Sequence, residues 1–131
     1  MLSKKKIILI SGILKGIPNL ACAYLHGSAL TEYFRRQSDI DIALLFLPGT
    51  KISLLNIIRD YNGRMDSLTN HTAHFGILSS KNVVFAKEVI LKGELIVCND
   101  SYFCKSFTMH TLSMYTALNI ERSKILEQYA A

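Results

Sequence analysis

The hydrophobic positions of this chain alternate between helical spacing and the denser spacing of strands, and the changes mark out its elements. Ser3 is placed to cap an amphipathic helix that runs to about Gly16, and Pro18 prevents its continuation. Leu20 to His26 is a short apolar run that reads as a strand; Gly27-Ser28 follow, and Ala29 to Phe34 predicts a short helix. A second strand spans Ser38 to Phe46 and is closed by Pro48-Gly49. Leu54, Leu55, Ile58 and Tyr61 then recur at helical spacing, with Asn62-Gly63 as the expected stop. Thr72 to Leu78 predicts a third strand, Ser80 caps a helix through Asn82 to Lys92, and Glu94 to Val97 closes the sheet after Gly93. Ser101 to about Gln128 lacks Pro and Gly and predicts one long helix, with Phe107, His110, Met114, Leu118 and Ile125 along one side. The order predicts an α+β fold: a small mixed sheet, helices packed on it, and a long C-terminal helix.

One constellation within these elements carries chemistry. Gly27-Ser28 is followed, after ten intervening residues, by Asp39-Ile40-Asp41. Alternation along the strand puts Asp39 and Asp41 on one face and Ile40 and Ile42 on the other. Same-face neighbours stand roughly 6.5 to 7 Å apart at Cα, so the two carboxylates can converge on one hard cation such as Mg²⁺. Glycine permits close approach of backbone to a ligand, and Ser28 at a helix start offers a hydroxyl and free N–H groups to phosphate. Gly-Ser alone is an ordinary turn, and Asp-x-Asp alone is an ordinary solvated strand end. The signal is their fixed combination, which points to a site for a nucleoside triphosphate.

These residues resemble the minimal nucleotidyltransferase family of the polymerase-beta-like superfamily. Leu25-His26-Gly27-Ser28 and Ser38-Asp39-Ile40-Asp41-Ile42 match its first two segments, and the helix before Gly93 with Glu94-Leu95-Ile96-Val97 is similar to its closing one. The resemblance covers nearly the whole chain and implies a nucleotidyltransferase-type domain over residues 1–131. It implies that Gly27 and Ser28 hold donor phosphate, that Asp39 and Asp41 ligate Mg²⁺ or Mn²⁺, and that ATP is the donor. Ser38 joins the nucleotide-binding set, and Arg36, beside Arg35, is placed to screen donor phosphates. The family carries a third acidic residue that helps bind metal and activates the attacking hydroxyl; alignment on Ser79-Ser80 puts His74 in its place. Imidazole suits transition metals better than Mg²⁺, yet it can act as a base near neutral pH. Asp66 and Glu88 are lower-ranked substitutes for the acid.

The resemblance further implies an antitoxin that attaches AMP from ATP to a tyrosine of a helical partner, a ribonuclease-type toxin of the HEPN superfamily. A second reading is a degenerate nucleotidyltransferase fold that neutralises its partner by contact, and the His74 departure favours it. A third is transfer to a small molecule such as an aminoglycoside, which the absence of room for a second substrate domain disfavours.

At 131 residues the chain fits one domain, and with half its residues apolar it can bury a real core. Some of that apolar content is expected to meet a partner, and self-association stays open. The net charge of +5 attracts polyanions generally, but no aromatic-and-basic RNA motif or zinc-finger spacing accompanies it, so direct nucleic-acid binding is not indicated. Lys4 to Lys6 are expected to cover a helix end. Cys22, Cys98 and Cys104 are an odd number without metal-ligand spacing, which fits a reducing cytoplasm. Lys15, Gly16 and Pro18 interrupt the first apolar run too soon for a secretory signal, and no stretch is long enough to span a membrane.

Overall fold

The computed structural model describes residues 1–130. Its elements are α1 (Lys4–Leu14), β1 (Leu20–His26), a single 3-10 turn (Gly27–Leu30), β2 (Ile40–Phe46), α2 (Leu54–Thr69), β3 (Ala73–Ile77), α3 (Val83–Lys92), β4 (Glu94–Cys98) and α4 (Ser101–Ala130). The strands form one sheet of order β3-β2-β1-β4, antiparallel at β1/β2 and β1/β4 and parallel at β2/β3. The architecture is the expected α+β one, with a mixed sheet and a long last helix.

Alternation along β2 divides the molecule. Ile40, Ile42, Leu44 and Phe46 belong to the larger core with Ala23, Leu25, Ala73, Phe75 and Val97, covered by α1 and α2 through Ile10, Leu14, Ile57 and Met65. Ala43 and Leu45 belong to a smaller core with Cys22 and Tyr24, covered by α3 and α4 through Ala86, Val89 and Cys104. That second cover ends before Asp41 and Asp39, so the same strand face that is apolar at one end is open at the other.

Caps explain most boundaries. Ser3 accepts the Lys6 N–H at the start of α1, and Asp100 accepts that of Phe103 at the start of α4. The Lys6 ammonium donates to the Thr69 carbonyl at 3.0 Å, so of the three lysines Lys6 covers a helix end, the last turn of α2. Four local expectations are corrected. Helix α2 runs through Asn62-Gly63 and stops at Asn70, which takes the left-handed conformation at φ 60°. The Asn62 side chain is engaged in accepting the Ala73 N–H at 3.2 Å, so it serves β3 instead of breaking its own helix. With the longer helix the inner stripe becomes Ile57, Tyr61 and Met65, leaving Leu54, Leu55 and Ile58 exposed. Asn82, not Ser80, caps α3 by accepting the Phe85 N–H. In α4 the inward positions are Cys104, Phe107, Thr111, Tyr115 and Leu118, whereas His110, Met114 and Ile125 face outward, and residues 119–129 are exposed throughout. No helix among the described residues is long and apolar enough to cross a membrane.

Candidate functional site

Strand register assembles the site. His26 on β1 is the partner of Asp41 on β2, and Asp41 is the partner of His74 on β3. Residues directly opposite one another project to the same face, so the three form a row across the sheet, with Asp39 two residues earlier on the same side. His74 Nε2 lies 3.1 Å from Asp39 Oδ2, and its Nδ1 lies 3.8 Å from Asp41 Oδ1. Both are ion-pair-range approaches, the first close and the second longer, so the imidazole lies against both carboxylates. Side-chain exposures of 64% for His74, 42% for Asp39 and 35% for Asp41 leave all three accessible to a ligand from solvent.

Gly27 is required where β1 ends. Its φ is +73°, a conformation costly for residues with a side chain, and a Cβ there would collide with Asp41 Oδ2. The bare turn thus lies against the carboxylate. The predicted helix over Ala29 to Phe34 is only the 3-10 turn Gly27–Leu30, closed by the Thr31 N–H and hydroxyl, each donating to the Ser28 carbonyl at 2.9 Å. A turn this short supplies no helix macrodipole. What it can offer an anion is the half-buried Ser28 hydroxyl and the backbone of a positive-φ bend.

The link from that turn to Asp39 is held by a residue whose role sequence reasoning missed. Buried His71 donates from Nδ1 to the Ser38 carbonyl at 2.9 Å, and its ring packs on Phe34 with centroids 4.5 Å apart. Thr69 Oγ1 accepts the His71 N–H at 3.2 Å and donates to the Met65 carbonyl at 2.7 Å, tying the histidine's backbone to the end of α2. Asp39 is therefore presented by an anchored peptide. Nothing local marks His71 for this; only the tertiary fold brings it beneath a loop 33 residues upstream. Ser38 Oγ accepts the Arg35 N–H and so closes a turn, and Arg35 binds the carbonyls of Glu32 and Phe34. Arg36 is exposed and forms no ion pair among the described residues. The structure brings Gly27, Asp39, Asp41 and His74 together, keeps Ser28 and Ser38 on the segments flanking them, and leaves Arg36 at the loop's outer side.

One wall of the site is aromatic. Phe85 of α3 meets His26 edge to face at 5.7 Å between centroids and lies over Gly76, where a Cβ would come within 3.1 Å of its ring. Burial holds the His26 imidazole below its ordinary pKa, partly offset by the Asp41 carboxylate. His26 is thereby kept neutral beside the aspartates. Neither alternative acid joins the cluster. Glu88 is engaged by Lys87 and Lys92, at 2.6 and 2.9 Å, which hold its carboxyl down to about 2, and Asp66 lies on α2.

The donor set limits how a metal could bind. Among the described residues no three His, Cys, Asp or Glu side chains are arranged to hold a metal ion. Mg²⁺, however, is typically bound by one or two carboxylates together with substrate phosphates, not by a complete protein cage. Asp39 and Asp41 fit that shared arrangement.

Comparison with known proteins gives the same outline. The family profile described as "Polymerase beta, Nucleotidyltransferase" matches residues 9–102. The protein adenylyltransferase MntA of Shewanella oneidensis is 30% identical over 131 residues, covering 99% of this chain and 89% of that protein. A toxin–antitoxin crystal structure with AMP-PNP is 27% identical, with a TM-score of 0.70, covering 99% of this chain and 100% of that one. A complex of tri-AMPylated Shewanella oneidensis HEPN toxin with MNT antitoxin shares the fold, with a TM-score of 0.65 at 24% identity over 95% and 99% of the two chains. With the family profile spanning most of the chain and the Gly27 turn set against Asp41, this protein belongs to the polymerase-beta-type nucleotidyltransferase family.

Proposed function

We propose that this chain is a nucleotidyltransferase-type antitoxin that transfers AMP from ATP to a tyrosine of a helical HEPN-type toxin and neutralises it. The observation that carries the reading is the convergence of Asp39, Asp41 and His74 beside the Gly27 bend. The likeness to an adenylyltransferase and to a toxin–antitoxin structure with AMP-PNP supports the choice of donor and partner.

Asp39 and Asp41 would hold Mg²⁺ or Mn²⁺, which when bound neutralises donor phosphate and developing charge. Gly27 admits the triphosphate close to the backbone, and the Ser28 hydroxyl donates to it. The toxin's tyrosine oxygen forms a bond to the α-phosphorus, the bond from that phosphorus to the β-phosphate oxygen breaks, and pyrophosphate leaves. His74 takes the third position. Its imidazole stands against both carboxylates, where a ring nitrogen in the neutral form can receive the tyrosine proton. His71 acts at one remove, holding the peptide that presents Asp39.

A second reading, contact neutralisation without turnover, is favoured by one observation: an imidazole stands against the carboxylates where the family places a third acid. Incubation with α-labelled ATP, Mg²⁺ or Mn²⁺, and a co-purified helical partner separates the two. Label on the partner that disappears with Asp39→Asn and Asp41→Asn supports transfer. Tight association without label supports the binder and overturns the enzyme.

A further inference from the structure

The three cysteines are far apart in sequence, yet the fold gathers them at the opposite end of the α3/α4 face. Cys22 on β1 is the register partner of Cys98 on β4, and Cys104 enters from the start of α4. The segment joining Cys98 to Cys104 is held in place. The Asn99 and Asp100 N–H groups donate to the Ala21 carbonyl at 2.8 and 3.1 Å, and Asp100 accepts the Phe103 and Cys104 N–H groups at 2.9 and 3.1 Å.

Cys22 and Cys104 pack in one buried cluster, and Cys104 also lines the same surface concavity as Cys98. Cys22 and Cys104 are buried and Cys98 is exposed, so Cys98 is the thiol that meets solvent. It does so at a concavity of about 410 Å³ that Cys98 and Cys104 line with Tyr24, Lys105 and Thr108. Burial raises the Cys104 and Cys22 thiols above the ordinary range, which keeps both from reacting first. The trio is not arranged to hold a metal. What the arrangement offers is oxidation at an entry thiol with a second thiol in reach.

We propose that Cys98 and Cys104 form a modification site for hydroperoxides, in which oxidation of exposed Cys98 is resolved by Cys104 into a disulfide joining β4 to α4. In the first step the Cys98 sulfur attacks the peroxide, the O–O bond breaks, and a sulfenic acid and one molecule of water or alcohol result. In the second, the Cys104 sulfur attacks that of Cys98, the S–O bond breaks, and the hydroxide leaves as water with the Cys104 proton. Two electrons pass from the thiol pair to the peroxide. The site is independent of the nucleotide chemistry and stands whether or not transfer occurs.

Tryptic cleavage places Cys98 and Cys104 on one peptide, residues 93–105, and Cys22 on another, residues 16–35. The native full-length chain is treated with hydrogen peroxide, alkylated in denaturant and digested without reduction. The 93–105 peptide is expected unalkylated and lighter than its reduced form by about 2 Da, while Cys22 is alkylated. In Cys98→Ser, an exposed change that leaves the core intact, the cross-link disappears and Cys22 and Cys104 both remain free. Cys98 over-oxidised beside a free Cys104, an intermolecular Cys98 dimer, a bridge to Cys22, or no loss of thiol in the wild-type chain would each overturn the proposal.

Discussion

The two faces of this sheet are built from the same strands by the same alternation, yet they do different work. On the α1/α2 side every inward position of β2 is a large apolar residue from end to end. On the α3/α4 side β2 passes from Leu45 and Ala43 to Asp41, with Asp39 just ahead of the strand, and β1 from Cys22 and Tyr24 to His26. The first face is closed and pure. The second is covered for only part of its length, and the candidate chemistry begins where cover stops. The larger core lies on one side, while the uncovered end of the other carries exposed carboxylates that contribute little to folding.

The sharpest break of that comparison exchanges one residue on each face. Asp41→Asn keeps the shape and removes the charge; on the transfer reading it lowers adenylylation by at least about 100-fold, with the thermal midpoint nearly unchanged. Leu44→Ala on the other face empties fully buried volume and costs about 2–5 kcal/mol in denaturant unfolding, while activity per folded molecule persists. Equal effects of both on stability would erase the distinction between the faces.

Gly27→Ala tests where backbone and site meet. The substituted residue must hold φ +73° and displace the Asp41 carboxylate, so it is expected to cost about 1–3 kcal/mol and also to depress nucleotide binding. Denaturant titration alongside calorimetry with a non-hydrolysable ATP analogue reads both. A stable variant with full affinity would show that the close approach is incidental. His74→Asp restores a hard oxygen at the third position and is expected to raise Mg²⁺-dependent transfer several-fold, by roughly 1 kcal/mol of barrier. No gain would count against His74 as the third residue of the site.

How far the sequence reveals this arrangement follows from the range of the forces involved. Alternation and punctuation are local, so the strands, the Gly27 bend and the facing of Asp39 and Asp41 are legible from the residues alone. That His74 lies opposite Asp41 follows from the parallel register, which the buried faces of both strands set. Asn62-Gly63 misleads because its usual turn preference yields to a hydrogen bond with β3, formed only after the sheet assembles. The face of α4 is misjudged for the same reason. Its weak apolar periodicity does not reveal that Cys104 and Thr111 face inward while Met114 and Ile125 remain outside. His71 is invisible as a support of Asp39 because a single buried histidine carries no pattern.

That support can be measured. His71→Phe keeps an aromatic ring against Phe34 and removes the N–H that reaches the Ser38 carbonyl. The expected loss is about 1 kcal/mol in stability, with a several-fold fall in kcat and a smaller change in KM for ATP. A variant less stable but kinetically unchanged would make His71 a packing residue only.

The smallest effect lies at the border between the covered and uncovered parts of the second face, where His26 is neutralised by burial. Its folded pKa lies below the value it takes in the unfolded chain, so on acidification the unfolded state binds the proton first. The His26 contribution to stability is therefore fully present above about pH 6.5 and is lost as pH falls through that value toward the folded pKa. Thermal midpoints in chelator should decline from pH 7.5 to 5.5, and His26→Gln should flatten that decline. Because the Asp41 carboxylate partly counters the burial effect, Asp41→Asn should steepen it. A decline indifferent to both substitutions would show that the proton enters elsewhere. The converse, a slope that answers to Asp41 and His26 together, would mark the edge of the α3/α4 cover as the point where the packed face gives way to the reactive one.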